Sequence, residues 1–379
     1  MIDQTRLTRS SKRQYGGVQY MRVIAALLVV AVHTGPLLSW GEDADFWLTG
    51  ALARLAVPFF FMASGFFFFR KVSGNTAADF SLLLGYLRKV ALIYVAAILI
   101  YLPFNAYKGD FKGELSAAVV IRDLLMDGTF YHLWYLPALI FGMAIVYALY
   151  RLLPLWAAGA AAALLYAIGL LGDSYYGWSA GIPVLNGLYE SMFQWMDYTR
   201  NGFFFAPPFL VLGLLAARRE QATHRQEKRY EAGNVPRRVR HSAPWTRSRW
   251  LAMGLFAAAL ALLLVEAYWL REVGWPRHDS MYAMLLPAVW CMFHLSLRVS
   301  VRYRALLGSF SLWLYLLHPA GIVAVRLVAR VAGAEKLLIG QTLVHFAAVV
   351  LVSSAAAWVM SAMVPHGTAF IQNRSRSGK

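Results

Sequence analysis

The chain has 379 residues, of which 59% are hydrophobic and 15% charged, and its formal net charge is +17. Soluble domains carry about 25% charged residues, so a water-exposed globule is excluded as an account of this composition. The excess of cations does not point to nucleic acid, because the basic residues are scattered between long apolar runs, where cytoplasmic loops of a membrane protein place them.

Taken in chain order, ten apolar stretches predict an all-α polytopic membrane bundle: 20–38, 46–69, 82–104, 132–150, 152–171, 202–217, 250–270, 281–297, 306–328 and 337–363. Each is near the length that crosses about 30 Å of hydrocarbon at about 1.5 Å per residue. Helices are required because lipid-exposed backbone must bond to itself. The first stretch reads as an uncleaved span rather than a signal peptide, since Arg22 lies inside it and no clean cleavage site follows. The cations sort to one side of such a bundle. Arg6, Arg9, Lys12 and Arg13 precede the first span; Arg70 and Lys71 follow the second, with Arg88 and Lys89 near the start of the third; Arg151 divides the fourth and fifth. The 218–249 segment is strongly basic, and Arg298, Arg302, Arg304, Arg374, Arg376 and Lys379 complete the set. Glu42, Asp43, Asp45, Asp110, Glu114, Asp173 and Asp197 fall on the other side. Both termini are therefore expected in the cytoplasm, with the chain a single domain in the inner (cytoplasmic) membrane. The 218–249 segment is expected to be a flexible cytoplasmic loop that fixes topology.

Three further features carry local expectations. The phenylalanine runs at 59–61, 66–69 and 203–205 are expected to pack against lipid. Pro58, Pro137, Pro207, Pro208, Pro287 and Pro319 fall within spans and predict kinks, where neighbours or water must satisfy the freed carbonyls. The one cysteine, Cys291, rules out an intrachain disulfide and is expected to be a small buried apolar residue. No cluster has metal-ligand spacing, and there is no glycine-rich phosphate loop or GxSxG elbow. No metal and no bound cofactor are expected.

The first span holds the strongest candidates. Arg22 and His33 are 11 residues apart, which at about 100° per residue places both on one face, about 16 Å apart along the axis. An ionisable side chain in a span costs about 2.5–3.5 kcal/mol and usually faces the protein interior or a wet path. Snorkelling for Arg22 and a hydrogen-bonded packing role for His33 are the alternatives. Among the other candidates, His132 and Trp134 open the fourth span, where an interfacial belt is the plain alternative. Glu266, near the end of the seventh, reads equally as a relay group or as a reach to headgroups. In "RHDS" (277–280), Asp279 or Ser280 is expected to cap the eighth span beside His278. His318, before Pro319, sits where the carbonyl pattern is irregular.

An arginine, ten intervening residues and a histidine in a first span resembles the acyltransferase family 3 membrane proteins. The resemblance continues through "VPFFFMASGFFFFRK" (57–71), "YHLWYLPALIFG" (131–142), "TRNGFFFAPPFLVLG" (199–213), "RHDSMYAMLLP" (277–287) and "SFSLWLYLLHP" (309–319). Within that family it is similar to the membrane domain of VanT-type serine racemases of vancomycin-resistance systems. The resemblance implies a ten-helix transferase that moves an acyl group, often acetyl, from cytoplasmic acyl-CoA to a hydroxyl of an envelope glycan or cell-wall precursor. It implies Arg22 and His33 as catalytic, and it singles out His132, Trp134, Arg200, Asn201, His278, Asp279, Ser280 and His318. His33 would take the hydroxyl proton; Arg22, with Arg70, Lys71, Arg88 and Lys89, would hold the donor phosphates. In the racemase branch the membrane module is thought to supply serine, so a serine carrier is the alternative. No pyridoxal-binding lysine is assigned, and racemisation is not expected of this stretch.

Overall fold

The computed structural model describes residues 15–108, 116–231 and 249–363, with the side chains of residue 108, of 227–231 and of residue 305 excepted. Among them every regular element is helical. The order is α1 (Gly16–Thr34), α2 (Glu42–Asp45), α3 (Ala56–Phe69), α4 (Thr76–Lys108), α5 (Ala117–Arg122), α6 (Tyr135–Leu152), α7 (Leu155–Leu171), α8 (Tyr176–Ala180), α9 (Pro183–Phe193) and α10 (Ala206–Glu231). It continues with α11 (Arg249–Glu272), α12 (Leu285–Arg298), α13 (Ala305–Val331), α14 (Glu335–Leu338) and α15 (Thr342–Met363). Seven helical stretches among the described residues are long and apolar enough to cross a membrane, and α7 and α12 are shorter apolar helices. The sequence expectation of ten adds α10, whose first half is apolar and whose second half is basic.

Helix α3 sits at the centre, against α1, α10 and α12. Phe59, Phe61 and Phe66 are fully buried, and Phe60, Phe68 and Phe69 nearly so. The expectation that these phenylalanines face lipid is therefore wrong. A helix apolar all round belongs in the interior of the bundle, where its rings stack edge to face on Tyr15, Tyr86, Tyr147 and Phe293. Phe205 is buried on the same cluster. Close approach to α10 is made possible by two glycines. A Cβ on Gly65 would lie 2.5 Å from the Leu210 carbonyl oxygen, and one on Gly213 would lie 2.3 Å from that of Met62. Small residues let helix backbones touch in this way.

The prolines correct a second expectation. Pro58 lies within the continuous helical stretch Glu42–Phe69, just after its 3₁₀ turn, where the helix is irregular. Pro137, Pro207, Pro208 and Pro287 fall in the first turn of their helices, where the N–H has no intrahelical partner to lose. These four start helices rather than kink them. Pro319 lies inside α13, as expected, and Pro103 lies inside α4. The 218–249 segment is also corrected: α10 continues as helix to Glu231, and 232–248 lies outside the described residues. Cys291 is free and half-buried in α12.

Before α3 the second span is not a regular helix. Phe46–Ala51 winds wide with π geometry and Leu52–Leu55 tightens into a 3₁₀ turn. Such bulges swing side chains off the regular helical positions and recur at functional sites. Asp45 secures the start, accepting from Leu37 N at 3.0 Å and Thr49 Oγ1 at 2.8 Å. The bulge faces the 277–284 segment, whose Tyr282 hydroxyl donates to the Gly50 carbonyl at 3.0 Å.

Candidate active site

Three histidines from three separate elements meet near one end of the bundle. His33 is in the last turn of α1, His318 precedes the proline of α13, and His132 lies in the turn before α6. The His33 and His318 rings stack at 5.2 Å between centroids with a 21° tilt, and His132 meets His318 edge-on at 5.3 Å. Tyr131 lies over His33 at 4.7 Å, and Tyr101 packs on His132 at 4.9 Å. His132 and His318 are buried, whereas His33 is half-buried. Among the described residues no three His, Cys, Asp or Glu are arranged to hold a metal ion.

Pro319 sets the chemistry of its neighbour. Lacking an N–H, it leaves the Tyr315 carbonyl four residues earlier without its helical donor. His318 Nδ1 takes that carbonyl at 2.7 Å. A carbonyl only accepts, so Nδ1 carries the hydrogen and Nε2 presents a lone pair. No protein partner takes that Nε2, and both ring nitrogens of His132 are likewise without a partner. The His132 carbonyl accepts from the Tyr315 hydroxyl, which ties the turn before α6 to α13.

Charged groups surround the imidazoles. Arg54, displaced by the bulge, pairs with Asp279 at 2.6 Å and is within electrostatic range of His33. Arg200 lies over the rings of Tyr198, at 4.2 Å, and Trp134, at 5.1 Å, and is also in range of His33. Burial, and then Arg54, push the Arg200 guanidinium below its ordinary range, while Asp173 pulls it back. Asp173 is fully buried, and Oδ1 accepts from Ser280 N at 2.8 Å and Met281 N at 2.9 Å. Burial raises its pKa to about 7 against these hydrogen bonds and Arg200. His278 stacks on Tyr198 at 4.3 Å, and burial with the nearby Arg200 and Arg277 lowers its pKa.

Arg22 lies on the interior face of α1 toward the other end, among Tyr86, Tyr135 and Tyr303, with Tyr86 and Tyr135 both bonded to Ser64. Tyr135 packs on Tyr315 at 5.4 Å, so aromatic side chains connect the Arg22 region to the histidines. Arg22 and His33 thus share one inward face, as their spacing predicts. The basic residues expected at a donor phosphate occupy two settings. Arg70 covers the rings of Tyr15 and Phe66, with Lys71 exposed beside it. Arg88 and Lys89 line one end of a groove of about 430 Å³ between α4 and α13, otherwise apolar apart from Gly85 and Trp313.

Other expected residues turn out to brace the site. Asp279 and Ser280 do not cap the eighth span, because α12 starts later, at Leu285. Asp279 is drawn off to Arg54, and Glu266 of α11 does the capping, accepting from Ala283 N at 2.6 Å and Met284 N at 2.8 Å. Asn201 shapes its own turn through Phe203 N, Phe204 N and the Tyr198 carbonyl. His132 is too deeply buried to be part of an interfacial belt. Arg54, Asp173, Tyr131 and Tyr315 were not singled out as site residues. Arg54 offered the same signal as Arg22, an arginine within an apolar run. Asp173 offered none, because its role depends on a loop contact more than a hundred residues away.

Compared with known proteins, residues 15–362 match the profile of acyltransferase family 3, described as an acyltransferase domain. The chain is 38% identical over 356 residues to an amino-acid racemase of Enterococcus faecalis, covering 94% of this chain and 46% of that protein. It is 33% identical to a second amino-acid racemase of that organism (84% and 42%) and 34% identical to a serine/alanine racemase of Enterococcus gallinarum (83% and 42%). The chain therefore spans less than half the length of these curated relatives. No solved structure matches.

Proposed function

The chain belongs to acyltransferase family 3, and from that premise we propose that it is a multi-pass membrane O-acyltransferase that moves an acyl group from acyl-CoA to a hydroxyl of an envelope molecule. The observation that carries this reading is that Arg22 and His33 face the bundle interior together, with His33 stacked on a second imidazole of fixed tautomer. In the reaction His33 takes the proton of the acceptor hydroxyl as its oxygen attacks the thioester carbonyl. The C–O bond forms, the C–S bond breaks, and the departing thiolate receives a proton. Arg200 and Arg54, both in electrostatic range of His33, are positioned to stabilise charge that develops on the carbonyl oxygen. Arg22 orients the donor where it enters from the cytoplasmic end, with the histidine end facing away from the cytoplasm.

The racemase names of the relatives favour a second reading, a carrier of serine or a similar amino acid along the same interior path. One pair of assays separates the two. Inverted membrane vesicles containing the protein and [14C]acetyl-CoA should place base-labile label in the envelope fraction, above vesicles without the protein. Proteoliposomes of purified protein with no acyl donor should show no saturable serine uptake. Uptake without label transfer replaces the transferase by the carrier.

A further inference from the structure

Arg54 and Arg200 do more than border the histidines. They come from distant parts of the chain, one from the bulge of the second span and one from the turn before α10, and each lies in electrostatic range of the other. Two guanidinium groups held together are unfavourable unless anions lie between or beside them. The anions present fall short. Asp279 pairs with Arg54 at 2.6 Å. Asp173 is the other carboxylate in range, yet its Oδ1 is taken by two backbone N–H groups and its Oδ2 has no partner. Burial favours its neutral form up to about pH 7, which leaves about one positive charge uncompensated.

Both arginines also have a buried Nε without a hydrogen-bond partner. Arg200 lies over the rings of Tyr198 and Trp134, and its unpartnered Nε edge is what remains for a ligand. A guanidinium edge recognises a planar carboxylate through two parallel hydrogen bonds. The Arg54–Asp279 pair is partly exposed, with side-chain exposures of 16% and 45%, so a small anion can reach it from solvent.

We propose that Arg54 and Arg200 form a carboxylate clamp, so that the acceptor is a hydroxy compound bearing a carboxylate near the hydroxyl that His33 deprotonates. The word acceptor rests on the transferase reading; the clamp does not. Trp134 and Tyr198 act as the shelf that holds Arg200 edge-on.

Purified full-length protein in detergent is titrated with glycolate, the smallest hydroxy acid, while its thermal unfolding midpoint is followed. Glycolate should raise the midpoint saturably, and ethylene glycol, which has the hydroxyl without the carboxylate, should not. Arg200→Gln should weaken the glycolate effect at least tenfold in midpoint concentration. Arg200→Lys, which keeps the charge but loses the fork, should weaken it severalfold. If Arg200→Gln fails to fold, Arg54→Gln gives the same test, since half-exposed Asp279 tolerates loss of its partner. Equal protection by ethylene glycol, no protection by glycolate, or protection that survives Arg200→Gln or Arg54→Gln overturns the clamp. Protection that maps to these arginines without any acyl transfer leaves the clamp standing and removes the transferase.

Discussion

Asp173 shows how one buried group shapes both stability and site. Its carboxyl is fully buried with a pKa raised to about 7, against about 3.9 in an unfolded chain. The folded state therefore holds this proton more tightly than the unfolded state. The stability it contributes is complete below about pH 4 and is lost as pH rises to about 7, by up to about 4 kcal/mol. Asp173→Asn keeps an oxygen to accept from Ser280 N and Met281 N but cannot ionise. The difference in unfolding midpoint between variant and parent in detergent should grow in favour of the variant from pH 4 to 7. Parallel curves would show that the carboxyl ionises as freely folded as unfolded. At this scale the sequence disclosed what stood alone. Arg22 and His33 are conspicuous because nothing polar surrounds them, and their common face follows from helical spacing. Asp173 and Arg200 sit among other polar loop residues, and only the folded loops bring them together.

At the scale of elements, the fold rests on how closely α3 approaches α10. Gly213→Ala puts a methyl group within 2.3 Å of the Met62 carbonyl oxygen, and two backbones must move apart. Overpacking of this kind costs about 1–3 kcal/mol, so the unfolding midpoint should fall by several degrees. Gly254→Ala on α11 is the control, since a Cβ there meets nothing within 4 Å and its midpoint should not fall. Equal behaviour of the two would refute the contact. Hydropathy placed the helices along the chain but not their limits. Proline inside an apolar run reads as a kink, yet a run begins before its helix does, so Pro137, Pro207 and Pro287 open helices instead. Phenylalanine runs read as lipid-facing because hydropathy does not distinguish lipid from a protein interior. The bulge before α3 had no signal in composition, and it is what turns Arg54 toward Asp279.

For the whole molecule, the bundle gathers its polar groups by end. Arg70, Arg218 and Glu220 cluster with Tyr15 and Tyr150 at the end where α1 begins. The three histidines, Arg54, Arg200, Asp173 and Asp279 lie where α1 finishes. A donor and an acceptor that approach from opposite faces would meet along the interior face of α1. The most direct measurement is the rate at which vesicles transfer label from [14C]acetyl-CoA to the envelope fraction, with His33→Ala compared with the parent at equal amounts of folded protein. The account predicts a loss of at least a hundredfold. Transfer at the parental rate by the folded variant would contradict it.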